Sequence, residues 1–367
     1  MSVLLHLCTS GEWRAALDAG ALRPPGPFVH LSRPEQVHLP AQRLFPGRRD
    51  LVLLVVDPAR LTDPVVDEPG VAGDPGGMRF PHLYGPLPTS AVVAVVPHRP
   101  PVPPVLPEPG DALGRALALS LSLPVRRAPD VRDVPGGVAV RDPRFPHSYD
   151  NNRLLLGSPV DAGTVAAAAA DLSVPAALLS WPGAAAVAAE LATSGWEATE
   201  LLVMTRPAHP PLPGGERAEV LAEPQVRAFR TEAWRRDLPA GLPDRDEVVA
   251  QLVGREPLTG TVVAVHEVAV RDGGRVVAAG QLRVDGATAA IEAVETEPAA
   301  RGRGAADAVL ARLVRLAADA GCDLVALEAD AADWPRHWYA RRGFAVAGSV
   351  WEVARRQAGG ATQASSR

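Results

Sequence analysis

The stretch Arg301-Gly302-Arg303-Gly304-Ala305-Ala306 decides how this chain is interpreted. It follows a short alternating segment, residues 290–296, and precedes a run of apolar residues at helical spacing that ends at Gly321. A strand, a glycine-rich turn and a helix start leave backbone N–H groups and the positive end of the helix dipole available to an anion. The two arginines add fixed positive charge. The stretch therefore predicts a phosphate or pyrophosphate site.

Residue types exclude two other kinds of phosphate loop. No lysine follows the glycines, as a P-loop would require, and Asp307 stands where the dinucleotide fingerprint needs its third glycine. What remains is the spacing [Q/R]-x-x-G-x-[G/A], formed by Arg301, Gly304 and Ala306. Further on, Trp338-Tyr339-Ala340-Arg341-Arg342-Gly343-Phe344 ends a second predicted helix at a glycine, and a last strand is predicted around residues 350–354.

The loop and this ending together resemble the GCN5-related N-acetyltransferase (GNAT) superfamily. The resemblance implies an α+β fold with a mixed central sheet flanked by helices, acetyl-CoA as cofactor, and transfer of its acetyl group to an amine by direct attack on the thioester. It also implies the cofactor-binding residues. The backbone of Val294, Glu295 and Thr296 would pair with the pantetheine arm, and Arg301, Gly302, Arg303, Gly304, Ala305 and Ala306 would hold the pyrophosphate.

Acetyl transfer to an amine needs a neutral amine, a polarised thioester carbonyl and a proton for the departing thiolate. By resemblance, Tyr339 is the proton donor; the alternative is a packing residue. Glu292 and Glu295 are the candidate bases, and strand alternation predicts that their side chains lie on opposite faces. We prefer Glu292, which would share its face with Val294 and Thr296. Either carboxylate could instead be merely solvated.

Composition limits the partners. The net charge of −5, and the lack of a basic stretch with interleaved aromatic residues, argue against a nucleic-acid partner. Cys8 and Cys322 show no metal-ligand spacing, so no metal site is predicted. We expect a cytoplasmic protein without a membrane segment, since no secretory signal or long apolar run is visible. The chain contains no lysine, so the amine is expected on another molecule, either a small molecule or a peptide or protein.

Proline-rich stretches suggest the domain bounds. We predict a separate small α+β domain at 1–96, a proline-rich linker at 97–128, a degenerate acetyltransferase-like half at 129–206, a second linker at 207–215, the acetyltransferase domain at 216–356 and a disordered tail at 357–367. The segment 129–206 resembles the first half of tandem acetyltransferases, which implies that it shapes the acceptor site; a purely structural lobe fits equally well. Arg230, Glu232 and Arg235, on the first predicted helix of the acetyltransferase domain, either select the acceptor or form a solvated face.

Residues 1–96 carry a second resemblance. Phe28-Val29-His30-Leu31-Ser32 and the segment 80–87, together with His6, resemble a small bacterial family of unknown function grouped with the ADP-ribosyltransferase fold. His6, Ser32 and Glu68 would be the counterparts of the residues around the nicotinamide nucleotide; structurally satisfied histidines are the alternative. Two other functions therefore stay open: a catalytically silent acyl-CoA-binding regulator, and an NAD-using ADP-ribosyltransferase-like enzyme.

Overall fold

Both parts of the chain combine helices and strands. The computed structural model describes residues 3–70, 77–100 and 102–355. Three small N-terminal sheets are followed by one long mixed sheet with helices on both faces. The predicted α+β class, with a separate small N-terminal domain, is confirmed. The predicted disordered tail, 357–367, lies outside the described residues.

The N-terminal domain is built around short strands. Its elements are β1 (Leu4–Thr9), α1 (Ser10–Ala19), β2 (Ala21–Leu22), β3 (Val29–His30), α2 (His38–Leu44), β4 (Leu51–Val56), β5 (Val65–Pro69), β6 (Arg79–Leu83), β7 (Leu87–Pro88) and β8 (Val92–Pro97). The order β1-β4-β8 forms one sheet and β3-β6-β5 another. The apolar run of β4 is buried throughout, as its sequence predicts. Helix α1 begins with a capping box, in which Thr9 Oγ1 accepts a hydrogen bond from the Glu12 N–H at 3.1 Å.

The predicted linker 97–128 is wrong in its second half. Residues Ala112–Arg127 form helix α3, and Asp111 caps it by accepting a hydrogen bond from the Gly114 N–H at 2.8 Å. The helix is packed between the N-terminal domain and the long sheet, where Arg115 is buried and pairs with Asp323 at 2.5 Å. The helix forms despite Pro124 because burial of its apolar residues against two layers outweighs the lost backbone hydrogen bond.

The remaining elements form one sheet rather than two separate halves. They are β9 (Asp130–Val134), β10 (Gly137–Arg141), β11 (Arg153–Leu156), α4 (Ala162–Asp171), β12 (Ala176–Leu179), α5 (Ala184–Thr193), β13 (Trp196–Pro207), β14 (Ala218–Leu221), α6 (Glu223–Asp237), α7 (Arg245–Gly254), β15 (Ala264–Asp272), β16 (Arg275–Asp285), β17 (Thr288–Thr296), α8 (Ala305–Asp319), β18 (Leu324–Asp330), α9 (Pro335–Ala340) and β19 (Ala345–Arg355). The strand order is β14-β15-β16-β17-β18-β13-β19-β12-β11-β10-β9. Because β13 lies between β18 and β19, residues 129–206 continue the sheet of the C-terminal domain.

The two faces of this sheet are covered by different helices. On one face, α8 buries Val309, Leu310 and Leu313 against β15, β16 and β17. On the other face, Leu119 and Leu123 of α3 pack near Ala290 of β17. The helix start predicted to bind phosphate therefore lies on the face opposite α3. Among the described residues, no helix combines the length and hydrophobicity that a membrane crossing requires.

Candidate active site

The site is organised by a split between two strands. The parallel strands β17 and β18 pair only from Thr288 to Ala290, opposite Leu324 to Ala326. β17 then continues along β16 as far as Thr296, while β18 diverges. The backbone groups of β17 that face the split have no strand partner among the described residues. Such an edge can pair with an extended ligand, as an added strand would.

A bulge in β17 changes which side chains share a face. Ala293 has a φ of +50°, and the register changes so that one residue of β16, Gly280, is opposite two of β17, Ala293 and Val294. Gln281 is opposite Glu292, and Ala279 is opposite Glu295, so both glutamates lie on the same face. The prediction that they lie on opposite faces is therefore wrong, because alternation does not continue through a bulge.

The same bulge overturns the reason for preferring Glu292. Val294 packs against the core beneath α8, whereas Glu292 projects from the other face of the sheet. Glu292 thus does not share a face with Val294 and Thr296. The bulge is held by Arg230, whose guanidinium donates to the Ala293 carbonyl at 2.8 Å and pairs with Glu267 at 3.2 Å. Arg230, a candidate for acceptor selection in the sequence, is only 7 % exposed and positions the strand instead.

The glycine-rich loop has the backbone that its sequence predicts. Gly302 and Gly304 adopt φ values of +74° and +72°, in the left-handed region that favours glycine. Gly304 is the N-cap of α8, and no heavy atom lies within 4 Å of the position that a Cβ would take at either glycine. The first N–H groups of α8 have no partner within the helix. The loop is therefore an open cradle lined by backbone donors.

The remaining contacts keep this cradle oriented. Arg301 donates through Nε to the Thr296 carbonyl at 3.2 Å, and Arg217 donates to the Arg303 carbonyl at 3.0 Å. Protein side chains thus occupy carbonyl groups in and next to the loop, whereas the backbone N–H groups of the loop remain available to a ligand. Thr296 Oγ1 is buried without a hydrogen-bond partner among the described residues. A buried hydroxyl of this kind costs free energy unless a ligand or water completes it.

Glu292 lies beside the split in a poorly solvated position. Its side chain retains 23 % of its exposure and lies 3.4 Å from Nη1 of Arg283. Burial raises the pKa of Glu292 to about 7, although Arg283 opposes this shift and Glu328 adds to it. A carboxyl group with this pKa can both take up and release a proton near neutrality.

Tyr339 projects from α9 toward the same region. Its ring packs against Trp338 and Phe344, with centroids 4.8 Å and 5.7 Å away. Burial, and then the charge of Glu292, raise the pKa of Tyr339 well above its usual value, so the phenol stays protonated. Its hydroxyl has no hydrogen-bond partner among the described residues. Glu295 differs from both, because the guanidinium of Arg236 pairs with its carboxylate.

Sequence reasoning missed one charged residue of the site. Glu328 of β18 accepts a hydrogen bond from Ser120 Oγ of α3 at 2.9 Å, and burial raises its pKa. A glutamate within an otherwise apolar strand was the available signal. Its meaning depends on the pairing of β17 with β18 and on the position of α3, neither of which the sequence shows. Of the other candidates for acceptor selection, Glu232 and Arg235 form an exposed ion pair at 2.8 Å on α6.

The N-terminal candidates do not form the predicted constellation directly. His6 Nδ1 lies 2.8 Å from the His30 carbonyl, and Ser32 is joined to Leu5 by backbone hydrogen bonds. Glu68 pairs with His82 instead. His6 and Glu68 are thus connected only through His30 and His82. In the part of the chain that the structure describes, no group of three or more histidine, cysteine, aspartate or glutamate residues is suited to hold a metal ion.

Comparison with protein families agrees with these features. Residues 226–344 match the model of the Acetyltransferase (GNAT) family. The C-terminal part of the chain is a GNAT domain. Acyl transfer is therefore the general activity that this domain supports. Residues 7–95 match a family described as a protein of unknown function, DUF952. Both resemblances seen in the sequence are thereby confirmed.

Several solved structures are similar to parts of the chain. A GCN5-related N-acetyltransferase from Kribbella flavida is 19 % identical, with 68 % of this chain and 96 % of that one covered and a TM-score of 0.48. A functionally unknown conserved protein from Staphylococcus epidermidis is 10 % identical, with coverages of 61 % and 92 % and a TM-score of 0.47. A protein from Caulobacter crescentus is 32 % identical, with coverages of 28 % and 94 % and a TM-score of 0.25. None of the curated proteins compared with the chain matches it.

Proposed function

We propose that the chain is an acetyl-CoA-dependent N-acetyltransferase whose acceptor is an amine on a small molecule, peptide or protein. The observation that supports this proposal is the position of two side chains. Glu292, a proton acceptor, and Tyr339, a protonated phenol, lie at a strand split that leads to the predicted phosphate-binding loop. The charge of Glu292 is near enough to affect the pKa of Tyr339. The same GNAT domain thus supplies a cofactor cradle, a base and an acid.

The chain's own residues fit acetyl-CoA. The amide groups of residues 301–306 would hold the pyrophosphate, and the free edge of β17 around Val294, Glu295 and Thr296 would pair with the pantetheine arm. The unpartnered hydroxyl of Thr296 is available to the same ligand. When bound, acetyl-CoA supplies the activated acetyl group. The bulge at Ala293 aims the free backbone groups into the split, and Arg230 keeps that bulge in place.

Glu292 accepts a proton from the incoming nitrogen, so that its lone pair is free for attack on the carbonyl carbon. At neutral pH a carboxyl group with a pKa of about 7 is partly ionised, which suits this role. Tyr339 donates its phenolic proton to the departing sulfur as the C–S bond breaks. Its raised pKa keeps that proton in place until the sulfur becomes basic. Because Glu295 forms an ion pair with Arg236, its side chain takes no part in the acid–base chemistry, and only its backbone groups contribute to cofactor binding.

Parallel binding and turnover measurements test this proposal. We expect acetyl-CoA and CoA to raise the melting temperature of the full chain, and NAD to have no effect, because only a ligand that binds the folded state stabilises it. Release of CoA in the presence of an amine mixture should then be lost in Glu292→Gln and Tyr339→Phe, with acetyl-CoA binding retained. Binding without amine-dependent release would identify a silent acyl-CoA-binding regulator. A shift with NAD alone would move the function to the N-terminal domain.

A further inference from the structure

The strand split places two carboxyl groups side by side. Ala290 of β17 is opposite Ala326 of β18 in the last pair before the strands part. Two residues further along each strand are Glu292 and Glu328. Because the strands are parallel and side chains repeat every second residue, both carboxyl groups emerge on the face that α3 covers. They therefore border the split on its α3 side, away from the helix α8 that follows the glycine-rich loop.

Two of the arginines near these carboxyl groups form ion pairs with a different carboxylate. Asp150 forms ion pairs with both Arg255, at 2.8 Å, and Arg153, at 3.3 Å. Glu292 has only the more distant Arg283, at 3.4 Å. Glu328 has no guanidinium or imidazole within ion-pair distance among the described residues, and it accepts a hydrogen bond from the hydroxyl of Ser120.

Two neighbouring carboxyl groups without a cation between them are electrostatically incomplete. Burial is the main reason that the pKa values of both groups are raised. The charge of Glu328 adds to the shift at Glu292 and is opposed by Arg283, whereas Glu352 and Asp150 add to the shift at Glu328 and are opposed by Arg153. A further carboxylate, Glu256, adds negative potential, since its nearest guanidinium atom lies 4.0 Å away on Arg255. An ammonium group placed between Glu292 and Glu328 would relieve this repulsion, whereas a second anion would increase it.

We propose that the acceptor is a cationic aliphatic amine that enters as its ammonium ion, and that Glu328 is the residue that binds it. This inference rests on the proposed N-acetyltransferase function. Glu328 accepts an N–H hydrogen bond and holds the nitrogen beside Glu292, which takes the first proton and passes it to solvent. The nitrogen then attacks the acetyl carbon as the C–S bond breaks. The second proton that the nitrogen loses passes to the oxygen of Tyr339, because Tyr339 has given its own proton to the departing sulfur. Further positive charge on the acceptor strengthens binding, and a carboxylate weakens it.

Three amines of similar length test this charge preference: putrescine, butylamine and γ-aminobutyric acid, which differ in the charge at the far end. We expect KM to be lowest for putrescine, about tenfold higher for butylamine and highest for γ-aminobutyric acid. Glu328→Gln should raise KM for putrescine by roughly tenfold to a hundredfold and remove most of the preference, with a smaller effect on kcat. Glu328→Asp, which keeps the charge, should restore part of the preference. Glu232→Gln, an exposed carboxylate on α6, is the matched control.

The outcomes separate this inference from the proposed function. If acetyl-CoA does not stabilise the chain, the proposed function fails and the inference fails with it. If acetyl-CoA binds but none of the three amines is acetylated, or γ-aminobutyric acid is preferred, the inference is overturned while the cofactor assignment stands. An unchanged preference in folded Glu328→Gln would equally remove Glu328 from acceptor binding.

A second, independent observation concerns the N-terminal domain. On the outer face of the sheet β3-β6-β5, four side chains form a hydrogen-bonded series. The Tyr84 hydroxyl donates to Glu68 Oε1 at 2.7 Å, Glu68 Oε2 accepts from His82 Nδ1, and His82 Nε2 lies 3.3 Å from His30 Nδ1. The ring of Phe28 stacks on His82, with centroids 4.0 Å apart.

The positions of the protons in this series follow from which atoms can donate and which can only accept. An ionised Glu68 only accepts, so His82 carries its proton on Nδ1 and offers a lone pair at Nε2. His30 therefore donates from Nδ1, which leaves the lone pair of its Nε2 directed away from the series. His30 is exposed, and Nε2 has no partner among the described residues. When Nε2 takes a proton, the positive charge forms on His30, where the hydrogen bond to His82 and the charge of Glu68 beyond it stabilise the imidazolium.

We infer that this series is a general-base site that activates water for hydrolysis of a carboxylic ester, and that the neighbouring rings of Phe28 and Tyr84 favour an ester with an apolar group. Water adds to the carbonyl carbon while His30 Nε2 accepts its proton. The ester C–O bond then breaks, the acid and alcohol leave, and the proton returns to solvent. Nothing in this step requires the GNAT domain.

Hydrolysis of para-nitrophenyl acetate by the full chain tests the second inference. We expect His30→Ala and Glu68→Gln each to lower the rate by at least about tenfold. His337→Ala, at an exposed histidine of the GNAT domain, should leave the rate unchanged. Circular dichroism checks that each variant is folded, and His82→Phe provides another break in the series. Equal rates in wild type and folded His30→Ala would overturn the inference.

Discussion

The indole of Trp13 donates a hydrogen bond to the carboxylate of Asp285 at 2.7 Å, and both side chains are buried. This bond joins the N-terminal domain to the end of β16 in the GNAT domain. Arg126 of α3 binds the same carboxylate at 2.6 Å. One buried carboxylate thus connects three segments of the chain, which explains why α3 is an integral part of the fold.

The first prediction concerns this junction. Asp285→Asn should lower the free energy of unfolding by about 3–5 kcal/mol, because the buried guanidinium of Arg126 loses its counter-ion. Trp13→Phe, which removes one hydrogen bond to a charged group, should cost about 1–3 kcal/mol. Urea denaturation measures both. Asp18→Asn, in an exposed ion pair with Arg14, is the control and should change little. Equal stability of the Asp285 and Asp18 variants would contradict the role of the junction.

The second prediction concerns the phosphate cradle. Gly304→Val should abolish acetyl-CoA binding, because its side chain would occupy the space that the cradle leaves for a phosphate group. Gly273→Val, in the turn between β15 and β16, is a matched control with a φ of +57° and equally open surroundings. Both variants carry left-handed strain of about 1–2 kcal/mol. Isothermal titration calorimetry should show lost affinity in the first variant only; equal affinity in both would exclude the cradle.

The third prediction concerns the pH dependence of catalysis. Since Glu292 acts as a base when ionised, kcat/KM should rise with pH through about 7 and then level off, until other groups titrate. Glu292→Gln should lose about a hundredfold to ten-thousandfold in rate and also lose this inflection. Steady-state release of CoA across the pH range measures both effects. A variant that keeps the inflection would show that another group is the base.

The fourth prediction concerns the proton donor. Tyr339→Phe should reduce kcat by about a hundredfold or more, because thiolate departure loses its acid, while acetyl-CoA affinity stays near the wild-type value. Trp338→Phe, at the neighbouring position, provides a packing control. If the two variants lose activity equally, Tyr339 has a packing role, which is the alternative that its sequence left open.

The fifth prediction links the pKa of Glu292 to stability. A carboxyl group whose pKa is raised in the folded state stabilises the fold in its protonated form, and this contribution is lost as pH rises from about 4.5 to about 7. Glu292→Gln should therefore be more stable than wild type by about 1–3 kcal/mol at about pH 8, with the difference vanishing at about pH 4. Thermal melts at both pH values measure it. A variant that is less stable at high pH would show that ionised Glu292 is held by its neighbours.

Local chemistry made several features of both domains predictable. The phosphate loop, the turn between β15 and β16 and the capping box of α1 depend on residues close together in sequence, and all three occur in the structure. Helix α3 was missed because the prolines before it dominate the local pattern, while its stability comes from burial between two distant layers.

The sequence by itself determined the loop, the helix start behind it and the candidate acid and base, because these follow from residue types and their spacing. Only the tertiary structure decided which carboxyl groups share a face, through the bulge at Ala293, and which pair flanks the split, through the register of β17 with β18. Register, bulges and burial arise from contacts between residues far apart in the chain. The same contacts set the pKa of Glu292, since desolvation depends on every segment that packs around it.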